Sequence, residues 1–127
     1  MKYILDTHVA LWLFEGNAKL SQTAQNLIFN DKNDIFISII SAWEVAVKIS
    51  LNKLDFDGGS EAFLFLSKKN NIDLIGMHGD YIKIVENLSY IHRDPFDRFI
   101  ISSAISENMT IITIDENIHK YAVSWIR

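Results

Sequence analysis

Apolar positions along this chain fall into two rhythms, short continuous runs and longer stretches with helical spacing. The runs Lys2–Leu5, Ile35–Ser38, Thr110–Ile114 and, more weakly, Ile72–Ile75 have the length and residue types of buried strands. Thr7–Phe14 carries Val9, Leu11, Trp12 and Leu13 at helical spacing and stops at Gly16 and Asn17, and Ser21–Asn30 repeats the pattern through Ala24, Leu27 and Ile28. Ser41–Leu51 is the clearest helix, with Ser41 and Glu44 at the spacing of a capping box. Asp57, Gly58, Gly59 and Ser60 interrupt the chain before a helix over Glu61–Lys69, and Tyr81–Leu88 forms another. Asp94 and Pro95 open a helix that runs to about Met109, because proline at the first helical position forfeits no intrahelical bond. A short helix after Asp115 and an apolar segment, Ala122–Ile126, close the chain.

Strands alternating with helices predict an α/β fold with a central, mainly parallel sheet covered on both faces. In such sheets ligands bind beyond the carboxyl ends of the strands. Asp6 follows the first strand and Asp115 the last strong one, while Glu44 and Asp97 each fall in the first turn of an expected helix. If those helices start at the same rim, four carboxylates converge there.

Each acid also has a purely structural explanation. Asp6 and Asp115 cap the helices that follow them, Glu44 is the return half of the Ser41 box, and Asp97 complements a helix dipole behind the Asp94 cap. Gathered at one site, however, the four repel one another unless a cation is present. Magnesium or manganese suits such a set, since hard divalent ions take carboxylate and water ligands and bind phosphate oxygens. The chemistry expected is phosphodiester hydrolysis by a metal-activated water, with no covalent nucleophile. Thr7 and Thr113 beside two of the acids are candidates to orient a ligand or a bound water.

Composition changes this picture little. The 127 residues, 49% hydrophobic with 22% charged and one proline, suit one folded domain spanning 1–127. The absence of cysteine excludes a disulfide framework, a thiolate zinc site and a thiol nucleophile. The apolar stretch before Asp6 is too short for a signal-peptide core and no run approaches a membrane span, so a soluble, cytoplasmic protein without membrane contact is expected. A net charge of −4 weighs against nucleic-acid binding, although bound divalent cations invert the local field of an acidic site.

Tyr3-Ile4-Leu5-Asp6-Thr7-His8, Ser41-Ala42-Trp43-Glu44-Val45 with Lys48, His92-Arg93-Asp94-Pro95-Phe96-Asp97-Arg98 and Thr113-Ile114-Asp115 together resemble, in order and over nearly the whole chain, the PIN-domain ribonucleases, specifically the VapC-type toxins of bacterial toxin–antitoxin pairs. The seven-residue third segment is the most specific of them. The resemblance implies a PIN-like (Rossmann-like) three-layer α/β/α fold and RNA hydrolysis with Mg2+, Mn2+ being able to substitute. It also implies a homodimer and a cognate antitoxin. By the same resemblance Asp6 and Asp97 are the principal metal ligands, Glu44 helps hold the metal and its water, and Asp115 is a further ligand or an acid behind them.

Arg93 and Arg98 flank the third acid and are candidates for phosphate contact, with an ion pair to a neighbouring acid as the alternative. Lys48 stands four residues after Glu44, where a helical salt bridge explains it as well as RNA contact does. His8, His78, His92 and His119 lack metal-ligand spacing, although His8 and His92 stand beside candidate acids, where contact with substrate is the alternative, and Lys68 and Lys69 read as solvated. Trp12, Trp43 and the aromatics of Phe63–Phe65 read as core or dimer surface. Two other functions fit parts of the pattern, a phosphotransfer enzyme or phosphatase using Asp6 as a covalent nucleophile and a non-catalytic interaction module whose acids are only caps.

Overall fold

The computed structural model describes residues 1–127. Its elements are β1 (Lys2–Leu5), α1 (Thr7–Glu15), α2 (Gln22–Ile28), β2 (Asp34–Ser38), α3 (Ile39–Ser50), α4 (Gly59–Lys69), β3 (Asp73–Ile75), α5 (Gly79–Asn87), α6 (Pro95–Glu107), β4 (Thr110–Ile112), one 3-10 turn (Ile118–Lys120) and β5 (Trp125–Ile126). The five strands form one sheet in the order β3-β2-β1-β4-β5, and every pairing is parallel. Parallel neighbours require crossovers, which the helices supply.

Alternation along the strands divides the core in two. Tyr3, Leu5, Ile35, Ile37 and Ile112 face one side, with Val9 and Ala10 of α1, Ala24 and Ile28 of α2, Val45 of α3 and Phe63 of α4. Ile4 and Ile111 face the other, against Tyr81 of α5, Phe99, Ile100, Ile101 and Ala104 of α6, Ile118 of the 3-10 turn and Tyr121 just after it. The result is the three-layer α/β/α arrangement. β1 pairs on both edges, so Asp6, the first residue beyond it, emerges at the middle of the carboxyl rim.

Several boundaries move, each for a local reason. The helix expected from Ser41 starts two residues earlier, because Ser38 ends β2 and its Oγ accepts the Ile40 N–H at 3.1 Å. Ser41 is therefore no cap, and Glu44 falls in the second turn instead of closing a capping box. The strand expected to reach Ile114 ends at Ile112, where Thr113 Oγ1 accepts the Asp115 N–H at 3.0 Å and bends the chain away. The helix expected after Asp115 shrinks to a single 3-10 turn. α4 begins at Gly59, after Gly58 at φ +83, a left-handed conformation that favours glycine. α6 stops at Asn108, left-handed at φ 54.

Candidate metal centre at the carboxyl rim

Asp6 caps α1, its Oδ1 accepting the Val9 N–H at 2.8 Å, while Thr113 Oγ1 donates to Oδ2. Strand-end position and capping thus coincide in one residue. Glu44 projects from α3 toward the same place. Thr7 Oγ1 lies 2.6 Å from Glu44 Oε1 and 2.8 Å from Ser41 Oγ. A carboxylate only accepts, so the single Thr7 proton goes to Glu44 and Ser41 donates to Thr7. Lys48, one turn on, donates to Glu44 Oε2 at 2.6 Å.

Asp97 occupies the third position of α6, behind the Asp94 cap whose Oδ1 accepts the Phe96 N–H at 2.8 Å. Its Oδ2 lies 3.1 Å from His92 Nε2. Asp115 Oδ1 accepts the Asn117 N–H at 2.8 Å and its Oδ2 bonds to the same His92 Nε2 at 2.7 Å. Asp6 and Glu44 form the floor, at 4% and 3% exposure, and the side chains of Asp97 and Asp115, at 16% and 32%, form the lip.

The four acids differ in how their charge is met. Burial pushes Asp6 above its ordinary value against the opposing Thr113 and Val9 bonds. Asp97 is pushed up to about 8, first by burial and then by the negative charges of Asp94, Glu44, Asp6 and Asp115. Burial also works to raise Asp115, but the His92 and Asn117 bonds outweigh it and hold that carboxyl below the usual range. Burial works to lower Lys48, yet its bond to Glu44 and the charges of Glu44, Asp94 and Asp97 leave it raised.

These arrangements suit a hard divalent cation. The donors are carboxylate oxygens, and Asp97, pushed up to about 8, accepts no backbone or hydroxyl hydrogen bond that would stand in for a cation. Atoms of Asp97, Asp115 and His92 lie within 4.8 Å of one another.

Other residues singled out from the sequence are placed unequally. Thr7 and Thr113 are buried and bonded to Glu44 and Asp6. Arg93 is exposed. Arg98 neither faces the rim freely nor pairs with an acid. Its buried guanidinium donates to the carbonyls of Val85, Leu88, Ser89 and His92 at 3.1–3.3 Å, clasping the loop between α5 and α6. A fork of fixed donors meets carbonyls at the end of α5 and in the loop after it, which removes it from phosphate contact. Trp43 is 57% exposed and meets Phe96 edge-on, outside the core.

Sequence reasoning missed His92 as a partner of the acids. The cue available was its place two residues before the Asp94 cap, from which the ring reaches back so that Nδ1 accepts the Asp94 N–H at 3.1 Å. Lys53 was missed as well. With Thr7, His8, Leu11, Glu44 and Lys48 it lines a cleft beside the floor acids.

A sheet of this order with acids from four segments at its carboxyl rim defines a class, and the sequence profile of the PIN domain matches residues 3–124. The chain belongs to the PIN domain family, whose members are in general nucleases that use divalent metals. In fold it is similar to VapBC2 from Rickettsia felis bound to a promoter DNA fragment, with a TM-score of 0.75 and 19% identity over 99% of this chain and 98% of that one. It is also similar to a toxin–antitoxin complex from Klebsiella pneumoniae, at TM-score 0.67 and 17% identity over 98% and 96% of the two chains. VapBC-1 from nontypeable Haemophilus influenzae gives TM-score 0.67 and 18% identity over 99% and 97%. Comparison with curated proteins by sequence finds none that matches. No helix is long and apolar enough to cross a membrane.

Proposed function

We propose that residues 1–127 act as one PIN domain that hydrolyses RNA internally with Mg2+ or Mn2+, as the toxin of a type II pair neutralised by a cognate antitoxin. The observation that carries this reading is the meeting of Asp6, Glu44, Asp97 and Asp115, from four separate segments, with Asp97 pushed up to about 8 by burial and by the charges of its neighbours. Asp6 and Asp97 are assigned as direct ligands. Glu44, held by Thr7 and Lys48, and Asp115, held by His92 and Asn117, complete the set with their orientations fixed.

A divalent cation bound there supplies a Lewis acid that turns water into a nucleophile at neutral pH and offsets charge on the phosphate. The chain supplies position. Thr113, donating to Asp6 and accepting from the Asp115 backbone, fixes two acids against each other across the sheet. Lys48 and Lys53 along the cleft offer ammonium groups to a strand's phosphates, and Arg93 is free to do the same from the lip.

The antitoxin assignment is supported by likeness to VapBC and toxin–antitoxin complexes, and a homodimer and a cytoplasmic location accompany it. The test has two arms. The purified protein should cleave RNA with Mg2+ or Mn2+ and not in excess chelator, and Asp6→Asn or Asp97→Asn should abolish cleavage while leaving the fold intact by circular dichroism. Full activity in both variants refutes the site. Expression alone should arrest growth, and a protein encoded beside the gene should relieve it. Unimpeded growth with folded, active protein present refutes the toxin role while sparing the nuclease.

A further inference from the structure

His92 stands between the two acids of the lip. One nitrogen of His92, Nε2, lies 2.7 Å from Asp115 Oδ2 and 3.1 Å from Asp97 Oδ2. Two roles are open to an imidazole in that place. It can lend its Nε2 lone pair to a metal as a third ligand beside the two aspartates, or it can donate an Nε2–H to them.

The other nitrogen decides between these. Nδ1 faces the backbone N–H of Asp94 at 3.1 Å and accepts from it, so Nδ1 keeps its lone pair and the ring proton sits on Nε2. Coordination through Nε2 would move that proton to Nδ1 and set two N–H groups against each other. Turning the ring over would put carbon where both nitrogens now bond. The ring is also not free to swing away. The Tyr121 hydroxyl accepts the N–H groups of Ile91 and His92 at 3.1 and 2.8 Å and donates to the Ser89 carbonyl at 2.7 Å, and Arg98 grips the carbonyls of Leu88, Ser89 and His92. His92 itself is only 8% exposed.

We infer that His92 is a positioning residue of the metal site and not a ligand in it. Its Nε2–H, fixed by the Asp94 backbone, holds the Asp115 carboxylate beside Asp97 in both the metal-free and the metal-loaded protein. The inference rests on the metal site proposed above, and it assigns a purpose to Arg98 and Tyr121, which hold the loop that carries the ring.

The test is long-range 1H–15N correlation of protein labelled at histidine nitrogens, recorded metal-free and with saturating Mg2+, with His92→Gln used to assign the resonances. The expected result is an Nε2-protonated, Nδ1-unprotonated ring in both states. An Nδ1–H tautomer in either state overturns the inference. Mg2+ addition that moves no resonance of the four histidines and gives no calorimetric signal refutes the metal site itself, and the inference with it. A second readout is Mn2+ affinity. His92→Ala should weaken it roughly 10- to 100-fold, as loss of a group that orients ligands does. His92→Gln, whose amide still donates toward Asp115, should recover most of that loss, and equal loss in the two folded variants contradicts a donor role.

Discussion

The floor and the lip of the carboxylate cluster are built from the same residue types, but their charges are met differently. Asp6 and Glu44 at the floor are the more deeply buried, yet each has both carboxylate oxygens bonded, to Val9 and Thr113 in one case and to Thr7 and Lys48 in the other. At the lip, Asp115 is likewise held on both oxygens, whereas Asp97 has His92 near one oxygen and four like charges acting on it. Depth alone therefore does not set the demand for a cation. Local donors reach both oxygens of three of the acids, though burial still raises Asp6, and leave the fourth, Asp97, pushed up to about 8.

Removing that fourth charge is expected to have the largest effect. Asp97→Asn should lower metal-dependent cleavage by about 10³-fold or more, on the order of 4 kcal/mol in the barrier, read as kcat/KM on an RNA oligonucleotide. A loss under tenfold would mean that the cation is held elsewhere.

The same variant sharpens the contrast through stability. In the folded, metal-free protein Asp97 sits at about 8, above the ordinary 3.8, so between those values the folded state holds a proton that the unfolded chain does not. Its contribution is thus fully present below about pH 4 and lost as pH rises through about 8. In chelator, the wild-type midpoint should fall across that range more than that of Asp97→Asn, by roughly 3–5 °C for each kcal/mol. Identical pH profiles would show that the lip carries no special strain.

A smaller effect is expected at the floor. Lys48→Met strips Glu44 of one donor, and because the Lys48 side chain is 36% exposed, solvent screening holds the cost to about 1 kcal/mol in chemical denaturation. A cost of several kcal/mol would make the floor as dependent on outside charge as the lip.

How far the site could be read from the chain follows the range of the interactions. Apolar periodicity located the strands and helices, and helix starts near strand ends located the acids, because both signals are local. Ser41 and Glu44 mimicked a capping box because a spacing of three also places two residues on one helix face, and only the close of β2 at Ser38 shows which serine caps. Arg98 looked like a phosphate contact from its neighbours in sequence, but its partners lie up to thirteen residues back in the chain. His92 is 23 residues from Asp115 and meets it because the α5–α6 loop folds over the rim; its place before the Asp94 cap hints at the ring's orientation but not at this distant partner.

The dependence of the metal centre on Asp97 is read most directly by calorimetric titration of Mn2+ into the metal-free protein at pH 7, repeated in buffers of different ionisation enthalpy. Saturable binding with proton release approaching one per site, absent in Asp97→Asn, is the expected result, since the ion must displace the proton that Asp97 holds. No saturable binding, or equal binding and proton release in the variant, would contradict a metal centre built around Asp97.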